Sequence, residues 1–331
     1  MKAALLYDIG DLRVVDVPKP TPASDEILVR VNVCAVCPTD IRKFRVGNHG
    51  VLRFPFNLGH EWVGDVIEVG DHVRNVAVGT RVVGGGYAGY AEYAPLGGQH
   101  LHIVDGHPLV IPDHVSDEEA TFVEPLADCI HAVVDQAKVR LGDMVLFMGA
   151  GQMALQQVMV AKAVGATVIV SEPIAERREL ATRFGADHVI DGSSQDVVTA
   201  VKELTDGKGA AAAIVTIGAP PAMVTAIDAV RVGARVVLFG GFDRGVTVTL
   251  DPNTIHYKEI EVVGSEWIGL PPHANFGLYE LALRLIAQKR IPVADLITHR
   301  VPLDRIRDAF DAIRAREGLK AMVYINGHAP E

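Results

Sequence analysis

The chain reads as an α/β protein of two units, one β-rich and one doubly wound around a parallel sheet. Three observations predict this. From Met1 to about Asp113, short β-branched runs (LRVVDV, EILVRVNV, VGDVIEV, TRVV) alternate with Gly, Pro and Asp turn signals. From about Glu118 to Gly264 the rhythm becomes strand, helix, strand, with apolar strands at MVLFMG, TVIVSE, HVID, AAIVTIG, ARVVLFG and IEVVGS. Short, continuously apolar strands separated by helices imply a parallel sheet covered on both faces. After Gly269 come a helix (NFGLYELALRLIAQKR), the segment LITHRVPLDRIRDAFDAIRA and a strand (KAMVYING), a tail expected to return to the first unit. The β-rich unit is therefore assigned residues 1–124 and 268–331, and the doubly wound unit residues 125–267.

A chain of 331 residues has room for two such cores. Its formal charge of −10 argues against nucleic acid or an anionic membrane as partner, since both select for basic patches. No apolar run approaches a membrane span, and the start MKAALLYDIGDLRV soon turns polar, unlike a signal peptide. Three cysteines, an odd number, do not suggest a disulfide framework, so a reducing cytoplasm is the expected compartment. There is no internal repeat and no low-complexity segment.

The first strand of the parallel sheet, MVLFM, runs into Gly149-Ala150-Gly151-Gln152-Met153-Ala154, which opens a helix. Gly149 permits the tight turn, Gly151 lets backbone approach a pyrophosphate, and Ala154 supplies the small residue that helix-on-strand packing needs. This is the fingerprint of a Rossmann dinucleotide site, with Gln152 and Met153 at the helix N-terminus that favours the anion. Glu172 ends the second strand 23 residues after Gly149, where a carboxylate accepts the adenosine ribose hydroxyls. It repels a 2′-phosphate and favours NAD; Arg177 and Arg178 pull the other way.

A second constellation lies upstream. Cys37 follows a strand-like run, His60 and Glu61 sit in the Gly-rich turn LGHEWVG, and Glu124 lies in FVEPLAD. Thiolate, imidazole and carboxylate are the ligands of a catalytic zinc, which takes three from the protein and leaves a position open. Cys37 and His60 are assigned to the metal. Glu61 and Glu124 compete for the remaining position, the other standing behind it or exchanging with water. Cys34 forms a C-x-x-C with Cys37, but no second Cys or His pair completes a knuckle, so Cys34 reads as a small apolar strand residue. His100, His102 and His107 have metal-like spacing yet sit in a polar loop without cysteine, and read as solvated.

The string Cys37, Thr39, Asp40, then GHEWVGDVIEVG, GTRVV, YAEYA, EPLADCIHAV, GDMVLFMGAG, VSE and LITHRVPLDRIRDAF resembles the zinc-containing medium-chain dehydrogenases, on the polyol (sorbitol-type) branch, nearly end to end. The resemblance implies a GroES-like β domain beside the Rossmann domain, with the active site in the cleft between them. It implies a homodimer or homotetramer, with dimers pairing near ARVVLFG and IEVVGS. It would place Lys320 near the cofactor pyrophosphate, and Ile217, Gly218, Phe239 and Gly240 beside the nicotinamide. Two departures stand out. The four-cysteine structural-zinc lobe of many relatives is replaced by VVGGGYAGYAEYAPLGG, so one zinc is expected. Arg42 stands where many relatives carry a proton-passing histidine, and a guanidinium is a poor proton carrier; Lys43, His49 or water are left as exits.

The implied reaction is oxidation of a secondary alcohol, with zinc lowering the alcohol's pKa, Thr39 taking the proton toward the nicotinamide ribose, and hydride passing to NAD. Glu61, Glu124, Thr39 and also Glu266 or Trp267 would border the substrate. So many polar groups suit a polyol, cyclitol or aminocyclitol such as 2-deoxy-scyllo-inosamine. Two other classes stay open: a zinc-free NADPH-dependent quinone or enoyl reductase of the same superfamily, and a non-catalytic nucleotide-binding protein. Zinc analysis separates the first of these, and a screen for NAD⁺ reduction over polyols disposes of the second.

Overall fold

The computed structural model describes residues 1–47, 53–74, 76–97, 103–104, 107–266 and 272–326. His49, His100, His102 and Trp267 lie outside the described residues, as does the His107 side chain. The chain divides into two compact units, Met1–Pro125 with Leu270–Glu331, and Leu126–Gly269. None of the helices among the described residues is long and apolar enough to cross a membrane.

In the first unit the main sheet runs Ile297–Pro302, Lys320–Tyr324, Glu26–Ala35, Glu61–Val69 and Arg81–Val83 in spatial order, with Tyr93–Gly97 also paired to Glu26–Ala35. Val and Ile at alternate positions of these strands point into one core, where Trp62, Tyr90, Phe44 and Phe310 are almost fully buried. The rings of Phe44 and Tyr90 pack edge-on against Phe310 at 5.5 and 5.9 Å. Each such burial removes enough apolar area to contribute roughly 1.5–3 kcal/mol. Phe310 comes from the helix Ile306–Ala315, so the C-terminal tail supplies part of the N-terminal core.

Register then sets the site. Ala35 lies opposite Glu61 on one side and opposite Met322 on the other, and the Val36 N–H donates to the Ala321 carbonyl at 2.8 Å. The end of the strand leading to Cys37, the start of the strand after His60 and the start of the strand at Lys320 are thereby gathered at one end of three neighbouring strands.

The second unit holds six parallel strands in the order His188–Ile190, Thr167–Ser171, Met144–Met148, Ala210–Val215, Val230–Leu238, Glu261–Gly264. The chain begins in the middle, winds to one edge and crosses back past its start, which puts the switch point between Met144–Met148 and Ala210–Val215. Open α/β sheets bind ligands beyond the carboxyl ends of the strands at that point. One feature of this unit escaped the periodicity. The helix Val123–Ile130 continues as a π-turn over His131–Gln136, where the Ala137 N–H reaches the Ala132 carbonyl at 2.8 Å. Within it, the buried His131 is bonded to Asp135 at 2.8 Å and Gln136 at 3.1 Å.

Candidate metal centre and dinucleotide cradle

Cys37 caps the helix Pro38–Val46, with Pro38 at the first helical position where its missing N–H costs nothing. The Thr39 N–H points at Cys37 Sγ at 3.4 Å, and Asp40 reaches back to the Cys37 N–H at 3.1 Å. His60 is presented by Gly59, whose φ of +83° belongs to glycine. A Cβ at Gly59 would also sit 2.9 Å from Cys34 Sγ and 3.0 Å from the Tyr90 ring. Cys34 is thus a packing residue beneath the turn, as its strand position suggested.

The ligand atoms of Cys37, His60 and Glu61 all lie within 4.8 Å of one another. Among the described residues this is the one cluster with metal-ligand geometry. Glu61 and Lys320 are fully buried, and the Lys320 ammonium is hydrogen-bonded to Glu61 Oε2. Glu61 Oε1 has no protein partner. Glu124, half-buried on the first turn of Val123–Ile130, stands outside the tight trio but within its field. Burial pushes its pKa up to about 7, against the pull of His60 and with the Glu61 charge adding to the rise.

Asp40 completes the centre. It is fully buried, accepts the Gly59 N–H at 3.2 Å and the Tyr90 hydroxyl at 3.0 Å, and lies 3.4 Å from His60 Nδ1. Burial alone would raise its pKa, yet His60 and the Cys37 and Gly59 N–H groups together hold it below the usual carboxylate value. A carboxylate behind a metal-binding imidazole fixes its orientation and strengthens it as a ligand. Burial pushes the Cys37 thiol up and the Glu61 charge adds to it. Burial works against a charged His60, but the neighbouring Cys37 and Asp40 more than offset it and raise its pKa well above the ordinary value. A pocket that favours positive charge this strongly, with a thiol, an imidazole and an orphaned carboxylate oxygen facing inward, fits a zinc ion by donor chemistry and charge.

The sequence singled out Cys37, His60, Glu61, Glu124 and Thr39, and the structure brings the first three together with Thr39 bonded to the first. Asp40 was visible only as part of a motif, and Tyr90 had no local signal at all. Lys320, expected near a pyrophosphate, has its ammonium on Glu61, because strand register delivers it to that end of the sheet.

In the second unit the residues predicted for a dinucleotide cluster near the ends of Met144–Met148 and Ala210–Val215. Gly149 has φ +107°, donates its N–H to the Ser171 carbonyl at 2.8 Å, and would clash with Thr216 and Ile217 if it carried a Cβ. A Cβ at Gly240 would lie 2.6 Å from the Ile217 backbone nitrogen, and one at Gly218 would lie 2.2 Å from the Gly241 carbonyl oxygen. Phe239 donates its N–H to the Val215 carbonyl at 3.0 Å. Gly151 caps the helix Gln152–Val164 without a side-chain bond, and nothing stands within 4 Å of where its Cβ would be. The first-turn N–H groups therefore face an open cradle suited to a pyrophosphate.

Glu172 is buried, accepting the Ala150 N–H at 2.8 Å and the Ile174 N–H at 3.0 Å. Arg178 bonds the Glu172 and Pro173 carbonyls at 2.9 and 2.7 Å and pairs with Asp191 at 3.2 Å. Arg177 is half-buried on the helix Ala175–Arg183. Gln152 is buried and accepts from Gln156 at 2.7 Å. Glu266 is exposed just past the sheet's edge strand.

Two domain models match the chain, the alcohol dehydrogenase GroES-like domain over residues 23–111 and the zinc-binding dehydrogenase domain over residues 149–287. A D-arabitol-phosphate dehydrogenase of Enterococcus avium is 31% identical, covering 98% of this chain and 96% of its own length. A sorbitol dehydrogenase of Bacillus subtilis is 30% identical over 98% of both. A Sinorhizobium meliloti structure bound to NADP superposes with a TM-score of 0.86 at 27% identity, covering 98% of this chain and 99% of its own. The chain belongs to the zinc-type alcohol dehydrogenase family, the medium-chain dehydrogenases. It is an alcohol dehydrogenase built on a GroES-like and a Rossmann domain.

Proposed function

We propose that the protein oxidises a secondary alcohol of a polyhydroxylated compound to the ketone, with NAD as hydride acceptor. The carrying observation is the trio of buried Cys37, half-buried His60 and buried Glu61 with ligand atoms within 4.8 Å. Cys37 and His60 would hold zinc, with Glu124 or Glu61 as the third ligand. When bound, zinc acts as a Lewis acid on the alcohol oxygen. The Lys320 pairing leaves Glu61 Oε1 without a protein partner, and Glu124 stands in the same field.

The chain's own residues supply the rest. Asp40 lies beside the His60 ring, 3.4 Å from Nδ1. Thr39, exposed at the start of its helix and anchored through its N–H to Cys37, carries a hydroxyl that accepts the alcohol proton and passes it on. Gly149 and Gly151 admit the pyrophosphate to the helix N-terminus. The buried Glu172 carboxylate favours ribose hydroxyls over a 2′-phosphate, and Arg178 is already engaged with Asp191 and two carbonyls. This supports NAD over NADP.

The test is turnover of a panel of polyols, cyclitols and aminocyclitols with NAD⁺ and with NADP⁺, before and after chelation. The expected result is chelator-sensitive reduction of NAD⁺ on polyhydroxylated substrates. Turnover that survives complete metal removal, or none with either cofactor, would overturn the reading.

A further inference from the structure

Beside Glu172 the second unit carries a charged arrangement that reaches onto the neighbouring strand. Ser171 pairs with Ile190, and the Glu172 N–H donates to the Ile190 carbonyl at 3.1 Å. Glu172 and Asp191 therefore leave the sheet side by side, each one residue past the carboxyl end of its strand. Arg178, half-buried on the first turn of the helix Ala175–Arg183, spans the two positions. Its Nη1 donates to the Glu172 and Pro173 carbonyls at 2.9 and 2.7 Å, and its Nη2 lies 3.2 Å from Asp191 Oδ2.

Asp191 is held in place for this contact. Its other oxygen, Oδ1, accepts the Ser193 N–H at 2.9 Å and the Ser193 hydroxyl at 2.5 Å. Its own N–H donates to Gln195 Oε1 at 2.9 Å, and its carbonyl accepts the Gln195 N–H at 2.9 Å. A turn closed by its own aspartate side chain fixes that side chain's orientation, so Oδ2 is the oxygen presented to the guanidinium. The Ser193 bonds, with the Arg178 charge adding to them, hold the Asp191 pKa below the usual carboxylate value, so it is an anion at neutral pH.

What the pair withholds gives it a function. An arginine near the ribose carboxylate is the group that accommodates a 2′-phosphate in dinucleotide sites, and its planar fork matches phosphate geometry. Arg178 stands in that place, bonded to the backbone of Glu172 itself. Nη1 is engaged by two carbonyls and Nη2 by Asp191. A part-exposed ion pair adds little to stability. Its effect here is on competition, because Asp191 and a 2′-phosphate are rival anions for one guanidinium nitrogen.

We propose that Asp191 is a specificity-determining residue for the cofactor, occupying the Arg178 guanidinium that would otherwise receive a 2′-phosphate. The inference rests on the NAD reading above and adds to it the residue that keeps the arginine engaged. Glu172 repels the phosphate directly, and Asp191 removes the cation that would offset that repulsion.

The experiment is Asp191→Asn, which keeps an oxygen for Ser193 and puts an amide NH₂ where Oδ2 faced the guanidinium. Kd values for NADH and NADPH are read by cofactor fluorescence on the full chain, beside kcat/KM for NAD⁺ and NADP⁺ with one alcohol. The ratio of Kd for NADPH over NADH should fall by roughly tenfold, the worth of one hydrogen bond to a charged group, and the kinetic ratio should move the same way. Adding Arg178→Met to Asp191→Asn should restore the wild-type ratio. A turn that merely braces the sheet would weaken both cofactors together and leave the ratio where it was. An unmoved ratio in Asp191→Asn, or a shift that survives Arg178→Met, would overturn the proposal and leave the NAD reading in place. A wild type that binds NADPH more tightly than NADH, or binds neither, would overturn both.

Discussion

The two units build their sites by opposite means. In the Leu126–Gly269 unit, Gly149, Gly151 and Glu172 come from one strand–helix–strand segment, and the Ala150 N–H meets Glu172 at 2.8 Å across 22 residues. In the other unit, Glu61 and Lys320 form one buried ion pair across 259 residues. The first site is a cradle of backbone N–H groups around open space. The second is a knot of ionisable side chains, each of which is expensive to bury without its partners. The difference teaches where substitution is tolerated. A cradle loses affinity by degrees, whereas a charged knot fails when any one member is removed.

The largest effect expected follows from that contrast. Cys37→Ser or His60→Ala should abolish turnover while NAD Kd stays within about a factor of three, since 1.4 kcal/mol already corresponds to tenfold. Loss of NAD binding in parallel, read by cofactor fluorescence, would show that the two sites are not separable. Next comes the proton. Thr39→Val removes the hydroxyl at nearly constant volume, and kcat should fall by about 10²–10⁴, the usual range for a general acid–base step. Near wild-type kcat in Thr39→Val would place the acceptor elsewhere, with Glu124 the first carboxylate to examine.

A third expectation concerns stability instead of rate. Lys320→Met leaves Glu61 buried without its cation, and removing one partner of a buried pair typically costs about 3–5 kcal/mol. The melting temperature of the metal-free protein should drop by several degrees, and Glu61→Gln in the same background should recover part of it. A Lys320→Met variant that melts with the wild type would mean the pair is not what holds this end of the sheet. The smallest effect is expected in the cradle. Glu172→Ser should narrow the ratio of kcat/KM for NAD⁺ over NADP⁺, because it removes the charge that repels a 2′-phosphate. If the wild type already prefers NADP⁺, the half-buried Arg177 becomes the residue to test.

The same contrast explains what could be read beforehand. The fold class was legible because its signals are local: β-branched runs with turn residues in one region, strand–helix alternation and a glycine turn in the other. The grouping of Cys37, His60 and Glu61 was legible through residue type and order. Asp40 could have been promoted from a motif letter by asking what a buried metal histidine needs on its second nitrogen. The positions of Lys320 and Tyr90 could not be read that way, because strand register brings the first to the centre and long-range backbone bonds of a turn to Ala4 and Leu58 bring the second. Arg178 was read as pulling toward a 2′-phosphate, and nothing in the local sequence announced Asp191 as its partner.

One centre in this chain, around Cys37 and His60, is expected to bind a catalytic zinc. The direct measurement is the zinc content of the purified full-length protein, by elemental analysis, beside its alcohol turnover. One zinc per chain is expected in the wild type, lost together with turnover in His60→Ala. A wild type that oxidises alcohols without bound metal, or holds two tightly bound zincs per chain, would contradict it.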